Sequence, residues 1–528
     1  MSRRARILPP YTRRVDDLRH RIVQLVGGTT VILLAVLFGF AIALFGLYGW
    51  FLYAIPLVLM ILLALWMAPD VDTNADRLIA RLYFLFLAVL MVWPPYLALN
   101  LPGLPWISFQ RITMFLLAAV TLYAFATSLR LRLEMGEILA SHIWLTRLLL
   151  AWIAWQTLMM AVGKFQSASS WVNMLMLRYL FLFVTAWVVI HAGRPQQLVR
   201  LILVTITITA AVVIPEARLG KPIWAEHVPS FLSIDPAILE SLNTSLFRSN
   251  EYRARSIFSN SLVYAEYLGM VLPFCLLAIS RAKSAWRRLL LLALLFLLIT
   301  AGLMTNARTA FITMIATIPA FLGLWIWRRN RLLAGKRDLV APSLLAMYPA
   351  ALTMLILATL FVGRVRVRVF GDGSQKYSDA ARGDQWAMAI PQIIKNPIGH
   401  GMGSIQRVVP YYSPGGKFTI DSYPINLLVE YGIPGFLLFA GLFILAVGMG
   451  IRIYLRAEGE DELVAGAAAV GLFSYLLSRL VLSMDGGTNL AFGYAGLILG
   501  LWYVQKRREA RSGQFRHCGR AAKALALA

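Results

Sequence analysis

Residues 287–329 read RRLLLLALLFLLITAGLMTNARTAFITMIATIPAFLGLWIWRR. The two apolar runs, near 287–305 and 309–327, each have about the 20-residue length that carries a helix across a hydrocarbon core. Arginine pairs stand at both outer ends, and Thr305-Asn306-Ala307-Arg308 joins the runs with almost no loop. The pattern is that of a transmembrane helical hairpin with one cation at its turn. A bilayer admits few other forms for such a segment, because every backbone amide must find its partner inside the protein.

The pattern recurs along the chain. Further runs near 25–46, 48–68, 79–99, 110–128, 146–163, 172–190, 199–215, 261–280, 340–362, 433–451, 463–483 and 488–504 bring the expected total to about fourteen spans. Composition agrees, since 59% of the 528 residues are hydrophobic and 14% are charged, too few charges for a water-soluble globule. The 50 Lys and Arg outnumber the 25 Asp and Glu, giving a net charge of +25. Nucleic-acid binders display such charge on a solvated polar surface, which near-continuous apolar runs do not provide, so the lipid bilayer is the expected partner and nucleic acid is not. Basic clusters fall at the N-terminus, Arg130/Arg132/Arg147, Arg194/Arg200, Arg281 to Arg288, Arg328 to Arg337, Arg452/Arg456 and from Lys506 onward. All share one side of a bundle counted this way, which the positive-inside rule makes the cytoplasm, with both termini there.

The expected fold is therefore all-α, a polytopic membrane bundle with two long external loops containing short helices. It divides into a basic segment 1–24, an N-terminal bundle 25–215, an external loop 216–260, helices 261–362, a larger external loop 363–432, C-terminal helices 433–505 and a basic tail 506–528. The first apolar run is too long for a signal-peptide core and reads as retained. Two cysteines, Cys275 and Cys518, build neither a disulfide framework nor a thiolate metal site. Phosphate-loop, HExxH, CxxC and GxSxG patterns do not stand out, so neither ATP-driven chemistry nor zinc hydrolysis is expected, and no metal or other cofactor.

Both long loops are basic for the side on which they fall. The first holds Arg218, Lys221, Arg248, Arg253 and Arg255; the second holds Arg364, Arg366, Arg368, Arg382, Lys395, Arg407 and Lys417. Cations placed against the topological bias point to an anionic ligand at the outer membrane boundary, with solvated or headgroup-facing charge as the competing reading. Arg308 lies at the same face, where its planar fork suits bidentate contact with phosphate, although snorkelling alone also accounts for it. Arg253 and Arg255 run up to the next span, in which Glu266 follows. Asp421 stands a few residues before an apolar helix, wetted yet facing the membrane, and Glu430 lies at that helix's start; capping or ion pairing is the alternative for each. Gly399, Gly401 and Gly403 permit tight turns or close backbone approach to a ligand.

The order of these features resembles the O-antigen ligase and Wzy-type polymerase superfamily. An Arg-rich segment runs into Phe258-Ser259-Asn260, and Asn306-Ala307-Arg308-Thr309-Ala310 starts a helix. Ala381-Arg382 with Trp386, the turn Pro397-Ile398-Gly399-His400-Gly401 and a closing Leu427…Gly432…Gly435 follow. The likeness covers roughly residues 250–440. It implies a multi-span glycosyltransferase of the bacterial inner membrane that uses undecaprenyl-pyrophosphate-linked saccharides on the periplasmic side, with no nucleotide sugar, cofactor or obligatory metal. Arg255, Arg308 and Arg382 would then hold the donor pyrophosphate, and a basic residue or carboxylate would deprotonate the acceptor hydroxyl. Asp421 occupies the position at which the lipopolysaccharide ligases carry a His. An acidic residue there looks more like the polymerase and exopolysaccharide branches. The resulting expectation has Asp421, Arg308 and Arg382 as catalytic residues, and Arg253, Arg255, Glu266, Trp386 and Glu430 as substrate-binding ones. The expected activity is polymerisation of lipid-linked repeat units for O-antigen, capsule or exopolysaccharide. A ligase acting on lipid A core or protein, and a transporter or flippase, are the alternatives. A chain-length regulator and a flippase are the protein partners the resemblance implies.

Overall fold

A computed structural model describes residues 75–99, 107–163, 168–224, 228–234, 247–248, 251–333, 340–361, 376–413, 418–483 and 486–527, with a few isolated positions besides. The expected spans near 25–46 and 48–68 lie almost wholly outside them, as do Arg364, Arg366, Arg368 and Lys417. Helices dominate: α1 Asp76–Val92, α2 Phe109–Thr127, α3 Leu129–Ser141 and α4 Ile143–Val162. A continuous helix α5 follows, made of Ala168–Met174, a π-helical turn Leu175–Leu180 and Phe181–Val188. Then come α6 Arg194–Leu219, α7 Ser261–Arg281, α8 Ala285–Met304, α9 Arg308–Leu333 and α10 Val340–Phe361. The second long loop contains α11 Lys376–Lys395, α12 Ile405–Val408 and α13 Tyr423–Glu430, and the chain closes with α14 Gly432–Leu455, α15 Val464–Arg479 and α16 Thr488–Leu527. Among the described residues eight helices are long and apolar enough to cross a membrane, the expected all-α polytopic class. The 287–329 stretch folds as the hairpin α8–α9, with Arg308 as the first residue of α9.

The chain forms two compact units, one of residues 1–79 and 118–134, the other of 80–117 and 135–528. In the larger unit α7 is the central helix, flanked by α6, α8, α9 and α15, and buried almost throughout from Ser261 to Leu277. Lipid tails are as apolar as leucine, so helices in a bilayer gain from packing backbone against backbone, and small residues permit that approach. On α16, Gly493, Gly496 and Gly500 face α5; a β-carbon at Gly496 would stand 2.2 Å from the Leu182 carbonyl oxygen. Gly269 of α7 likewise leaves room for Ser474 of α15 and Thr313 of α9.

In the first long loop the described residues include the short strands β3 Leu232–Ile234, β4 Phe247–Arg248 and β5 Glu251–Tyr252. Two further strands, β1 Leu97–Leu99 and β2 Ile107–Ser108, come from the connection between α1 and α2, and β1 pairs antiparallel with both β2 and β3. Prolines explain the preference for strand in the sheet of β1, β2 and β3, since Pro94, Pro95, Pro102, Pro105, Pro229 and Pro236 flank these three strands and disfavour helix at and before each position.

Candidate functional site

A cavity of about 400 Å³ opens at the end of the helices where α7 and α9 begin. Arg253, Arg308, Arg382, Asp421, Asn426 and Ser483 supply much of its polar lining, and all three arginines and the aspartate are half-buried. Three guanidinium groups from three separate chain segments thus face one carboxylate. Desolvating like charges together is costly, so such a grouping suits a ligand carrying more than one negative charge.

The α8–α9 hairpin sets two of the arginines. Thr305 to Ala307 turn the chain, with Asn306 at φ 48°. The Asn306 side-chain amide donates to the Tyr252 carbonyl at 3.3 Å, and the Ala254 N–H donates to the Met304 carbonyl at 3.0 Å. Residues 252–254 are therefore tied along the hairpin tip, which brings Arg253 to the same cavity as Arg308. Glu216, near the end of α6, anchors the other side of this segment. Its carboxylate accepts from the N–H groups of Arg255 (3.0 Å) and Ser256 (2.7 Å) and from the Tyr252 hydroxyl (2.9 Å). Burial, then the Glu216 charge, pushes the Tyr252 hydroxyl well above its ordinary range, so it remains a donor. Ser256 is held at φ 54°, a conformation that needs such over-determination in a non-glycine residue.

Arg382 comes from α11, which packs on the second loop's own core of Ala389, Ile393, Val409, Ile420, Ile425 and Val429. Gln385, one turn further along α11 and fully buried, accepts the Asp421 N–H at 3.0 Å and donates to the Thr419 carbonyl at 3.4 Å. The Thr419 hydroxyl donates to the Asp421 carboxylate at 3.2 Å, and the Ser483 hydroxyl donates to the Ile420 carbonyl. Gln385 thus couples the helix that carries Arg382 to the segment that carries Asp421. Gln385→Ala leaves the Asp421 N–H and the Thr419 carbonyl without their buried partner and is expected to destabilise the fold by roughly 1–3 kcal/mol; thermal unfolding of the detergent-solubilised variant checks it.

Of the residues singled out in the sequence, Arg253, Arg308, Arg382 and Asp421 meet in the cavity; Arg255, Glu266, Trp386 and Glu430 are not part of its lining. In an extended strand Arg253 and Arg255 would share a face. The chain instead turns back after Arg255, whose carbonyl accepts the Phe258 N–H at 3.0 Å, and the guanidinium of Arg255 is buried and donates to the Ser259 carbonyl at 3.3 Å. Glu266 is fully buried against Arg479 of α15, with oxygen–nitrogen distances of 2.6 and 2.7 Å, and also accepts from Ser478 (2.9 Å) and the Gly487 N–H (3.1 Å). Trp386 packs against the loop core. Glu430 is half-buried, and its carbonyl accepts the Gly401 N–H at 3.1 Å. Sequence reasoning did not assign Gln385, Thr419, Asn426 or Ser483. Gln385 had a signal, one helical turn from an arginine in an otherwise polar stretch.

The glycine-rich turn serves the scaffold. Gly399, Gly401 and Gly403 all have positive φ. The turn threads between the end of α4 and the α13–α14 junction: the His400 N–H donates to Val429 O at 2.8 Å, the Met402 N–H to Met159 O at 2.9 Å and the Ile433 N–H to Pro397 O at 2.8 Å. A β-carbon on Gly401 would lie 2.5 Å from the Gly163 nitrogen. The close approach made possible by these glycines is thus to neighbouring backbone. Gly401→Ala combines a left-handed backbone position with that clash and is expected to destabilise the fold by about 3 kcal/mol or more, seen as loss of the monodisperse detergent-solubilised species.

Fold and cavity together define a multi-span helical membrane protein with a polycationic site and one carboxylate at the membrane boundary. Residues 293–440 match the family model of O-antigen ligase, which supports a place for that stretch in the O-antigen ligase/Wzy-type superfamily. The match implies glycosyltransferase-like activity and spans Arg308, Arg382 and Asp421, while Arg253 lies before it. No curated protein matches the chain.

Proposed function

We propose that this protein is a metal-independent polymerase of lipid-linked oligosaccharide repeat units, using an undecaprenyl-pyrophosphate donor in the outer leaflet of the bacterial inner membrane. The observation that carries the reading is the convergence of Arg253, Arg308, Arg382 and Asp421 on one cavity at the membrane boundary. In this reaction the acceptor sugar hydroxyl attacks the donor's anomeric carbon. The bond from that carbon to the pyrophosphate oxygen breaks, its electron pair leaves with the pyrophosphate, and the hydroxyl proton passes to Asp421. The three guanidinium groups stabilise the charge that grows on the departing pyrophosphate. Asp421 acts as general base, oriented through its backbone by Gln385 and through its carboxylate by Thr419. Both substrates are amphiphiles in one leaflet, so they enter laterally, and a chain-length regulator and a flippase are the partners such a polymerase works with.

The family's own description, O-antigen ligase, favours a second reading in which finished glycan moves to lipid A core or protein. Deleting the gene in its host and sizing surface and lipid-linked glycans separates the two. Loss of long polymer with accumulation of single lipid-linked repeats supports polymerisation. Full-length polymer accumulating on undecaprenyl identifies the ligase, and unchanged glycans would sink both and return the transporter reading to first place.

A further inference from the structure

A second cavity, also about 400 Å³, lies at the far end of the same central helix. Leu262 in the first turn of α7 lines the first cavity, whereas Ala278 and Arg281 near its other end line the second. A helix of 21 residues is roughly 30 Å long, the thickness of a hydrocarbon core, so the two cavities belong to opposite membrane faces.

The lining of the second cavity is amphipathic in a specific way. Arg200 of α6, Arg281 of α7, Lys283 in the α7–α8 turn and Arg287 of α8 supply four cations. Val199, Leu203 and Leu291 form an apolar wall beside them, on the membrane-crossing parts of α6 and α8. One carboxylate, Glu460, enters the lining and is spoken for: it pairs with Arg281, which also donates to Gln196 at 2.7 Å. The Gln196 side chain donates to the Glu460 carbonyl at 2.8 Å, and the Gly193 N–H donates to Asp461 at 2.8 Å. This network fixes the start of α6, the end of α7 and the turn before α15, so the cavity has a built frame. Among the described residues, Arg200, Lys283 and Arg287 have no carboxylate partner. The first turn of α8, entered through Ser284, adds the positive end of a helix dipole to the same space.

We infer that this cavity binds the phosphate of an anionic phospholipid, with the headgroup among Arg200, Lys283 and Arg287 and an acyl chain along Val199, Leu203 and Leu291. The shared chemistry is recognition of a phosphate oxyanion. The apolar wall, continuous with the lipid-facing side of the helices, selects a lipid over a soluble anion. The site is separate from the transfer cavity and does not depend on which glycan is transferred.

The test uses the full-length protein in phosphatidylcholine nanodiscs with and without phosphatidylglycerol, reading retained lipid by native mass spectrometry and thermal stability in parallel. The wild type is expected to retain phosphatidylglycerol selectively and to melt higher in its presence. The combined variant Arg200→Gln/Lys283→Gln/Arg287→Gln is expected to weaken that retention by about 100-fold, with an unchanged melt in pure phosphatidylcholine. Arg200→Gln alone gives a smaller loss. Arg331→Gln, which removes a cation stacked on Trp327 outside the cavity, is expected to change neither readout. Inorganic phosphate added in phosphatidylcholine is expected to leave the melt unmoved. A phosphate-induced rise that the combined variant abolishes would overturn the lipid as the source. Equal phosphatidylglycerol retention by wild type and combined variant would overturn the site itself.

Discussion

Arg382→Ala and Arg308→Ala are each expected to lower glycan transfer by 10²- to 10³-fold, the effect typical of removing one preorganised donor from a developing oxyanion. Both side chains line the cavity with Arg253, and a pyrophosphate leaving group needs its growing charge met before the glycosidic bond forms fully. Three cations acting on one group do not contribute additively, so the double variant is expected to lose less than the product of the single losses. Lysine at either position restores charge without the two-pronged geometry and is expected to recover only part of the rate. Asp421→Asn removes the proton acceptor while keeping the shape of the side chain, with an expected loss of 10²- to 10⁴-fold. Rates are to be measured as polymer formed per unit of enzyme in proteoliposomes loaded with lipid-linked repeat units. Wild-type rates from Arg382→Ala at normal abundance would refute the assignment of the leaving-group site.

The second large effect concerns folding. Glu266→Ala leaves Arg479 charged, enclosed and without its carboxylate, and breaking one side of a buried ion pair typically costs about 3–5 kcal/mol. The pair joins α7 to α15 and, through the Gly487 N–H, to the start of α16. Arg479 also lies over the rings of Tyr475 and Tyr423, at 4.9 and 5.1 Å, and Tyr423 opens the helix that follows Asp421. The double variant Glu266→Leu/Arg479→Met removes both charges and is expected to recover most of the lost stability, because two apolar chains of similar volume need no counter-charge. Thermal unfolding of the detergent-solubilised variants decides the matter: a Glu266→Ala protein as stable as wild type would mean that the carboxylate is not what neutralises Arg479.

The reach of sequence reasoning in this protein follows from how local each property is. Hydrophobic length is a property of a segment alone, so the hairpin at 287–329 and the helices from α4 to α9 fall where their apolar runs predict. Arg308 was legible for a related reason, since a charge at the edge of a membrane-crossing run has few places to go; Arg382 and Asp421 were read from the charge of the second long loop and the family likeness, and all three reach the cavity. The choice between Arg253 and Arg255 was not legible. It depends on Glu216, a residue of another helix, holding Ser256 at positive φ and so ending the alternation of the strand. Glu266 misled in the same way, since its partner Arg479 lies in a helix far along the chain. Trp386 sits one turn beyond Arg382, and its burial in the loop's own core could not be read from a stretch whose hydrophobic partners, such as Ile420 and Ile425, come from beyond the glycine-rich turn.

Arg308 is joined to α8 by Thr305, Asn306 and Ala307 alone, and it begins a helix that runs on to Leu333. A cation on a long flexible loop can follow its ligand up or down; one mounted on the tip of two rigid rods cannot. Its height is set by how the apolar lengths of α8 and α9 match the bilayer, at a fraction of a kcal/mol per ångström of mismatch. Residues 252–254 are hydrogen-bonded to the same tip, so Arg253 rises and falls with it. The hairpin is therefore a depth gauge, and a change in lipid chain length alters the level at which a membrane-anchored anion meets its cations without altering a single residue.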